Sequence, residues 1–173
     1  NLEADFTPIS LLVSGPNALC INPRALPAAD MAGLLAMLRA RPPGSVNYAS
    51  AGPGSSSHFS GELFKAMAGL DLTHIPYRGA AQMGQAVASG DAPVVIGNLV
   101  NLQGFIARGE IRLMAVTSLE RWPATPDVPT LHDSGLPGFE TLAWNGLFGP
   151  AGLAPSVTAR LLPALRRIAA LAE

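Results

Sequence analysis

A loop of small residues, Ser50 to His58, carries the strongest chemical signal in the sequence. Its glycines let a ligand approach the backbone closely, and a helix is predicted to begin at about Ser55. The first turn of a helix presents unpaired N–H groups and a partial positive charge, which favours an anion. The alternative is a well-capped helix that binds no ligand. The predicted ligand-binding residues of this loop are Ser50, Gly52, Gly54, Ser55, Ser56, Ser57 and His58.

Two further candidates follow the predicted strand Leu72–Ile75. Tyr77 and Arg78 stand directly before a predicted helix, and the guanidinium fork of Arg78 could clamp a carboxylate. Equally, Arg78 could be a solvated residue at the start of that helix. Both interpretations stay open from the sequence.

The next strand ends contribute three more polar side chains. Asn98 follows the strand Val94–Gly97, where its amide could bind a ligand or cap the helix that begins at Leu99. Thr117 and Ser118 follow the last strand of the alternating region and are also candidate ligand contacts. The spacing Thr117-x-x-Glu120 fits a capping box, which is the favoured interpretation of that pair.

Other chemistries find little support in the sequence. The pattern G-x-G-x-x-G fails because Ser57 occupies the third glycine position, and no Gly-Lys-Ser/Thr ending is present. The three histidines lack metal-ligand spacing, and there is no G-x-S-x-G elbow. The nearest carboxylates, Glu62 and Asp71, do not stand at strand ends. We therefore expect no catalytic residues, no metal and no cofactor.

The elements that must position these residues alternate along the chain. Short apolar strands are separated by helices such as the one predicted by the spacing of Met31, Leu34, Leu35 and Leu38. An earlier apolar run, Ile9 to Ile21, is interrupted at 14–17. This alternation predicts an α/β fold with a parallel-rich sheet and helices on both faces. Such sheets bind ligands outside the carboxyl ends of their strands, where the candidate residues gather.

Composition excludes several functional classes. Of 173 residues, 49% are apolar, and the formal net charge of -1 gives no field for nucleic acid. No apolar stretch approaches the ~20 residues of a membrane helix. The N-terminal residues lack the basic and apolar blocks of a signal peptide, so either there was none or it has been removed. Cys20, the only cysteine, lies between Leu19 and Ile21 and is predicted to be buried.

Several motifs together resemble one known family. They are Asn47 to His58, His74 to Gly79, Leu113 to Ser118, Pro126 to Thr130 and Trp144 to Gly152. In these segments the chain resembles the Bug/TctC solute receptors of tripartite tricarboxylate transporters. The resemblance extends from about Asp5 to Leu171.

The resemblance implies a periplasmic, two-lobed binding protein with the type II periplasmic-binding-protein fold. Such receptors capture small organic carboxylates and deliver them to membrane permease subunits, and the second lobe presents a serine-rich loop at a helix N-terminus. We expect residues 18–120 to be the ligand-binding lobe. Residues 1–17 and 121–173 would then be hinge crossings and remnants of an incomplete other lobe.

The chain departs from the family pattern in ways that affect ligand choice. Pro93 and Gly97 stand where the family commonly has acidic residues, and Arg78 stands where lysine is frequent. The opening segment of the first lobe has no counterpart before Asn1. We expect a carboxylate receptor. The alternative is a truncated relative without ligand, in which an exposed apolar surface is buried in a homodimer.

Overall fold

A computed structural model describes residues 1–169 of the chain, which form two compact units. The core unit is Gly15–Ala143, and the terminal unit combines Asn1–Ser14 with the chain from Trp144 onwards. The expected ligand-binding lobe, 18–120, falls within the core unit. Its narrower limits stay a prediction, as do the hinge and remnant roles of the flanking segments.

The elements alternate much as the sequence predicts, with bounds that differ by a few residues. In chain order they are α1 (Leu2–Asp5), β1 (Phe6–Ile21), α2 (Met31–Arg39), β2 (Asn47–Ser50), α3 (Ser56–Ala68), β3 (Thr73–Pro76), α4 (Ala80–Ser89), β4 (Val94–Asn98), α5 (Leu99–Ala107), β5 (Arg112–Val116), β6 (Leu142–Pro150) and α6 (Pro155–Ala169).

Five strands pair in the order β3-β2-β4-β1-β5. β2 is parallel to β3 and β4, whereas β1 is antiparallel to both β4 and β5. The expected α/β lobe with a parallel-rich sheet is therefore confirmed, with one antiparallel strand in its interior. Because β4 and β5 run the same way, the carboxyl ends of β2 to β5 share one edge.

The interruption predicted at 14–17 does not end β1. Pairing of β1 with β4 begins only at Asn17, which lies opposite Asn98, so Pro16 precedes the ladder. A proline at that place removes no ladder hydrogen bond, and the strand continues through it. Pro16 therefore breaks the sequence pattern without breaking the strand.

Helices cover both faces of this sheet, as expected. Alternate residues of β1 point to opposite faces, so Leu19 and Ile21 pack with α2 and α3 while Ala18 and Cys20 pack with α4 and α5. Phe64 of α3 is completely buried on the first of these faces. Cys20 is 0% exposed, which confirms the predicted buried thiol, and burial raises the pKa of that thiol.

The capping box predicted after β5 is wrong, because no helix begins at Thr117–Glu120. Thr117 instead accepts a hydrogen bond from the N–H of Asn17 and donates to the carbonyl oxygen of Thr141. The chain then returns beside β5, where Val116 bridges Thr130. Tertiary hydrogen bonds therefore take the hydroxyl that a cap would have used.

The terminal unit contains α1, most of β6, α6 and the first part of β1. β6 pairs with β1, the Thr7 hydroxyl donates to the Pro150 carbonyl over 3.0 Å, and the N–H of Ala151 donates to the Asp5 carbonyl. The apolar spacing of Leu161, Leu165 and Ile168 predicts a last helix from about Pro155 to Leu171. The structure confirms it to Ala169, and the rest lies outside the described residues. No helix within residues 1–169 is long and apolar enough to cross a membrane.

Candidate functional site

The candidate residues lie along the carboxyl-terminal edge of the sheet in the core unit. Ser50 ends β2 opposite Pro76 of β3, and its carbonyl accepts the N–H of Tyr77 over 2.9 Å. Asn98 ends β4 opposite Asn17 of β1. Thr117 follows β5 and bonds to the same Asn17. The topology therefore brings the separate candidates to one edge, as the strand-end argument predicts.

Hydrogen bonds within the loop Ser50–His58 define its shape. Ser55 is the N-cap of α3: its hydroxyl accepts the N–H of His58 over 3.2 Å and donates to the carbonyl of Gly52 over 2.6 Å. The Ser57 hydroxyl accepts the N–H of Ala51 over 2.9 Å. Gly52 and Gly54 have φ of 112° and 79°, which side chains rarely tolerate. The capping role of Ser55 is therefore shown, and it is compatible with a ligand beyond the helix end.

Ser56 differs from its neighbours because its side chain is exposed and has no hydrogen-bond partner among the described residues. The backbone N–H groups of Ser56 and Ser57 likewise have no acceptor within residues 1–169. Both belong to the first turn of a helix of 13 residues. Two donors and the positive end of the helix dipole are therefore available at one point of the edge.

Tyr77 and Arg78 follow β3 beside this loop. An ideal Cβ on Gly52 would lie 3.9 Å from the Tyr77 carbonyl oxygen, so the two chain segments are adjacent. Arg78 is exposed, and its N–H donates to the Gln82 side chain over 3.1 Å. Its guanidinium makes no hydrogen bond to a described residue, which leaves the fork available to an anion.

The remaining candidates have structural roles in the core unit. Asn98 caps α5 by accepting the N–H of Val100 over 3.0 Å, as one of its two interpretations predicts. Thr117 is 0% exposed within its hydrogen bonds to Asn17 and Thr141. The Ser118 hydroxyl donates to the Glu120 carbonyl over 2.7 Å. Contact of these residues with a ligand stays a prediction.

A buried polar network centred on Asn17 was not foreseen from the sequence. The Asn17 amide donates to the Ser60 hydroxyl over 2.9 Å, and Ser60 lies 2.7 Å from the Thr141 hydroxyl. Asn17 is 0% exposed, and its Oδ1 has no hydrogen-bond partner among the described residues. One available signal was its position directly before the apolar residues 18–21. This network joins β1, α3 and the chain after β5.

Aromatic rings and charges form a second cluster beside the loop. His74 of β3 stacks on Tyr48 at 5.0 Å and on His58 at 4.4 Å between ring centroids. The Tyr48 hydroxyl donates to Glu62 over 2.6 Å, and Lys65 donates to the same carboxylate over 3.0 Å. Spacing could not reveal this cluster, because its members come from β2, α3 and β3.

The cluster shifts the pKa values of Tyr48, Glu62 and His74. Burial raises the pKa of Tyr48, helped by the neighbouring Glu62 carboxylate. Burial also acts to raise the pKa of Glu62, but the hydrogen bonds from Tyr48 and Lys65 overcome it, so the pKa is lowered. Burial and the neighbouring His58 lower the pKa of His74. These directions favour an ionised Glu62 and a neutral His74 at neutral pH.

Ser50 and His74 form a serine–histidine contact of 2.6 Å, yet the arrangement does not resemble a catalytic pair. Ser50 is completely buried, and its oxygen already accepts the N–H of Gly52 over 3.0 Å. Among the described residues no carboxylate orients the second nitrogen of His74, since Glu62 is held by Tyr48 and Lys65. This contact anchors the loop rather than activating a nucleophile.

The family model described as "Tripartite tricarboxylate transporter family receptor" matches residues 2–172. The chain belongs to this family. The resemblance noted in the sequence motifs is thereby confirmed. Members of this family are receptors that bind substrates, which agrees with an open polar sheet edge.

One relative is the UPF0065 protein in the tcbD-tcbE intergenic region of Pseudomonas sp. (strain P51). It is 37% identical to this tripartite tricarboxylate transporter receptor chain over 160 residues, which are 92% of the chain and 47% of the relative. The chain therefore spans about half the length of that relative.

Two solved structures are similar in fold. Rpa4515 of R. palustris with adipate is 34% identical at a TM-score of 0.90, over 95% of the chain and 55% of that protein. MatC (Rpa3494) from Rhodopseudomonas palustris with bound malate is 32% identical at a TM-score of 0.85, over 94% of the chain and 54% of that protein. The chain thus has the fold of these receptors, over about half of their length.

Proposed function

We propose that the chain contributes the ligand-binding half of an extracytoplasmic receptor, in the periplasm, that captures a small organic carboxylate for a tripartite tricarboxylate transporter. Family membership supports the receptor role. Structures of two relatives with adipate and with malate support a carboxylate as the ligand. They also make the alternative of a truncated relative without ligand less favoured. In this proposal the protein binds and releases its ligand without chemical change.

The observation that carries the proposal is the pair of N–H groups at Ser56 and Ser57 that have no acceptor within residues 1–169. A carboxylate has two acceptor oxygens, and two N–H groups at a helix N-terminus match them while the helix dipole favours the charge. Hydrogen bonds of this kind to an ionised acceptor are stronger than those between neutral groups. The ligand would therefore sit beyond the first turn of α3.

The surrounding side chains suit an anion. The loop from Ser50 to His58 contains no Asp or Glu. Glu62, within the next turn, is bonded to Tyr48 and Lys65, which spread its charge. Arg78 has an exposed guanidinium without a partner among the described residues, and in this proposal it approaches the same carboxylate or a second one.

The decisive experiment separates the N–H of Ser56 from its hydroxyl. Ser56 is the first helical residue, a position where proline fits, and Ser55 has the extended conformation that proline requires before it. S56P removes the N–H, whereas S56A removes only the hydroxyl. We expect S56P to weaken adipate or malate binding by tenfold or more, since a hydrogen bond to a charged group contributes ~1.5–3 kcal/mol.

Isothermal titration with adipate, malate and the uncharged adipamide would measure this. We expect S56A to bind more tightly than S56P and adipamide to bind far more weakly than adipate. Equal affinities of S56P and S56A would place the ligand elsewhere. Absence of binding by the unaltered chain at millimolar concentrations of all these acids would refute the proposal for this chain.

Arg78 gives an independent measure of charge recognition. R78A should weaken carboxylate binding and reduce its dependence on ionic strength, because an exposed guanidinium acts partly over distance. R108A is the matched control: Arg108 is paired with Glu110 over 2.8 Å at the end of α5. An equal loss of affinity in both variants would indicate a general charge effect instead of a contact.

Delivery to membrane permease subunits and self-association are further parts of the proposal. The terminal unit exposes Leu11, Trp144 and Ile168 by 63%, 59% and 64%, and apolar surface of this kind favours association. We propose a homodimer through these side chains. Sedimentation velocity should show W144S/I168S to be more monomeric than V100S, a control in the core unit whose side chain is 71% exposed. A monomeric unaltered chain at high concentration would contradict the dimer.

A further inference from the structure

Two imidazoles hold the backbone of the loop Ser50–His58 from one side. The Nδ1 of His58 accepts the N–H of Gly54 over 3.3 Å. The Nε2 of His74 lies 2.6 Å from the Ser50 hydroxyl, whose oxygen accepts the N–H of Gly52 over 3.0 Å. That hydroxyl has no other acceptor among the described residues, so its proton points to His74. Each imidazole thus serves the loop through a nitrogen lone pair.

These contacts fix the two glycines on which the loop depends. Gly52 and Gly54 both have positive φ, and their peptides lead directly into Ser55, the N-cap of α3. The carbonyl of Gly52 accepts the Ser55 hydroxyl over 2.6 Å. A change in either peptide would therefore alter the cap and the direction of the first N–H groups of the helix.

Protonation would remove the acceptor of the Gly54 N–H and reverse the His74 contact, since a protonated His74 donates to the Ser50 hydroxyl. A protonated imidazole donates from both nitrogens and accepts at neither, so Nδ1 of His58 would face the N–H of Gly54, donor against donor. The two rings stack at 4.4 Å, and two positive charges at that separation repel. The Gly54 contact and the close stack of the two rings therefore favour neutral rings.

The charged groups around the rings do not remove this requirement. From α3, Glu62 and Lys65 face His74 as a pair, and Lys65 acts against a positive His74 while Glu62 acts in its favour. From β2, Tyr48 stacks on His74 and donates to Glu62. Burial is the largest cause that lowers the pKa of His74, and it agrees with a ring that is neutral in this arrangement.

We propose that His58 and His74 are positioning residues that hold the serine loop in its anion-binding form while both rings are neutral, so that carboxylate affinity falls on acidification. This rests on the proposed function. A positive ring beside an anion site would by attraction alone strengthen binding at low pH. The geometry gives the opposite sign, because protonation withdraws the acceptor of Gly54, reverses the hydrogen bond that holds the Ser50 hydroxyl, and places two positive rings 4.4 Å apart. Because burial lowers the pKa of His74, we expect the loss of affinity below the usual imidazole range, at pH values under ~6.5.

The test compares pH profiles of malate affinity between pH 5.5 and 8.0. H58A/H74A removes both acceptors and should bind weakly with little dependence on pH. H58N/H74Q restores an amide oxygen near each lost nitrogen and cannot titrate, so it should regain affinity over the alanine variant and keep it on acidification. Titration of malate itself affects every variant equally. The unaltered chain should therefore lose about tenfold more affinity than H58N/H74Q, as expected for one pKa unit of coupling.

His132 supplies a matched control. Its Nδ1 also accepts a glycine N–H, from Gly138 over 2.8 Å, but outside this loop. H132N should keep the pH profile of the unaltered chain. Identical profiles for the unaltered chain and H58N/H74Q would overturn the proposal, and so would affinity that rises on acidification.

A ligand-free measurement separates this inference from the proposed function. The backbone amide resonances of Gly52 and Gly54 should shift with pH in step with the imidazoles in the unaltered chain, and should lose that titration in H58N/H74Q. If these amides titrate but the chain binds no carboxylate at any pH, the proposed function is refuted while the positioning role of the two histidines stands. If the amides do not titrate, the positioning role of the two histidines is overturned even if malate binds.

Discussion

Phe64 in the core unit is 0% exposed, whereas Phe148 in the terminal unit is 46% exposed. The same contrast extends to the helices: α3 buries Phe64, Ala68 and the small residues Ser57, Ser60 and Gly61, while α6 has no buried residue within 155–169. The core unit also supplies hydrogen bonds to most of its buried polar groups. The closely packed side chains and the proposed ligand contacts therefore both lie in the core unit, whereas the terminal unit exposes large apolar side chains such as Trp144 and Phe148.

The largest effect expected from this contrast comes from the two phenylalanines. F64A should lower the free energy of unfolding by ~3–5 kcal/mol, since it opens a cavity between α3 and the sheet. F148A should lower it by no more than ~1 kcal/mol, because the ring is already half in water. Urea unfolding followed by circular dichroism measures both. Similar losses would mean that the terminal unit is packed as firmly as the core unit.

A pair of glycines gives the next largest difference. A Cβ on Gly61 would lie 2.2 Å from the ring of Tyr48, which is itself buried, so G61A should destabilise the protein by ~1–3 kcal/mol despite the better helix propensity of alanine. A Cβ on Gly146 would meet the exposed ring of Phe148 at 2.8 Å, and that ring can move aside. G146A should therefore change stability by less than ~1 kcal/mol. A larger loss from G146A than from G61A in thermal unfolding would reverse the comparison.

Two threonines test the polar groups. T117V leaves the buried N–H of Asn17 without its acceptor, which should cost ~1–3 kcal/mol. T7V removes a hydrogen bond to Pro150 that water can replace, at an expected cost of about 0.5 kcal/mol. Hydrogen exchange at Asn17 would show whether the loss in T117V is local. Equal costs for the two substitutions would show that burial does not distinguish these hydroxyls.

Much of the fold follows from local sequence patterns. The spacing of Met31 to Leu38 predicts α2, and the turn of small residues at 50–55 predicts the start of α3, because apolar periodicity and capping act within a few residues. The antiparallel placement of β1 does not follow, since pairing partners such as Asn17 and Asn98 are far apart in sequence. The residues of a strand do not show whether it pairs with strands close to it in sequence or lies between two distant ones, as β1 lies between β4 and β5.

The candidate site likewise has residues whose position could be predicted from the sequence and others whose role could not. Ser50, Tyr77 and Asn98 could be predicted because strand ends of a parallel sheet meet at one edge, whatever the side chains are. The capping role that the spacing favoured for Thr117 was wrong, because Asn17 and Thr141 compete for its hydroxyl. The stack of His58, His74 and Tyr48 needed coordinates, since ring contacts across strands leave no regular spacing.

Cys20 lies on the interior strand β1, opposite Val95 of β4 on one side and Leu113 of β5 on the other. It is completely buried and is the only cysteine of the chain. A thiol reagent can reach the sulfur only when these strands open transiently, and the sulfur reacts as the thiolate. The rate of thiol labelling of the unaltered chain therefore reports how often the core unit opens. A bound ligand that stabilises the closed unit would lower this rate.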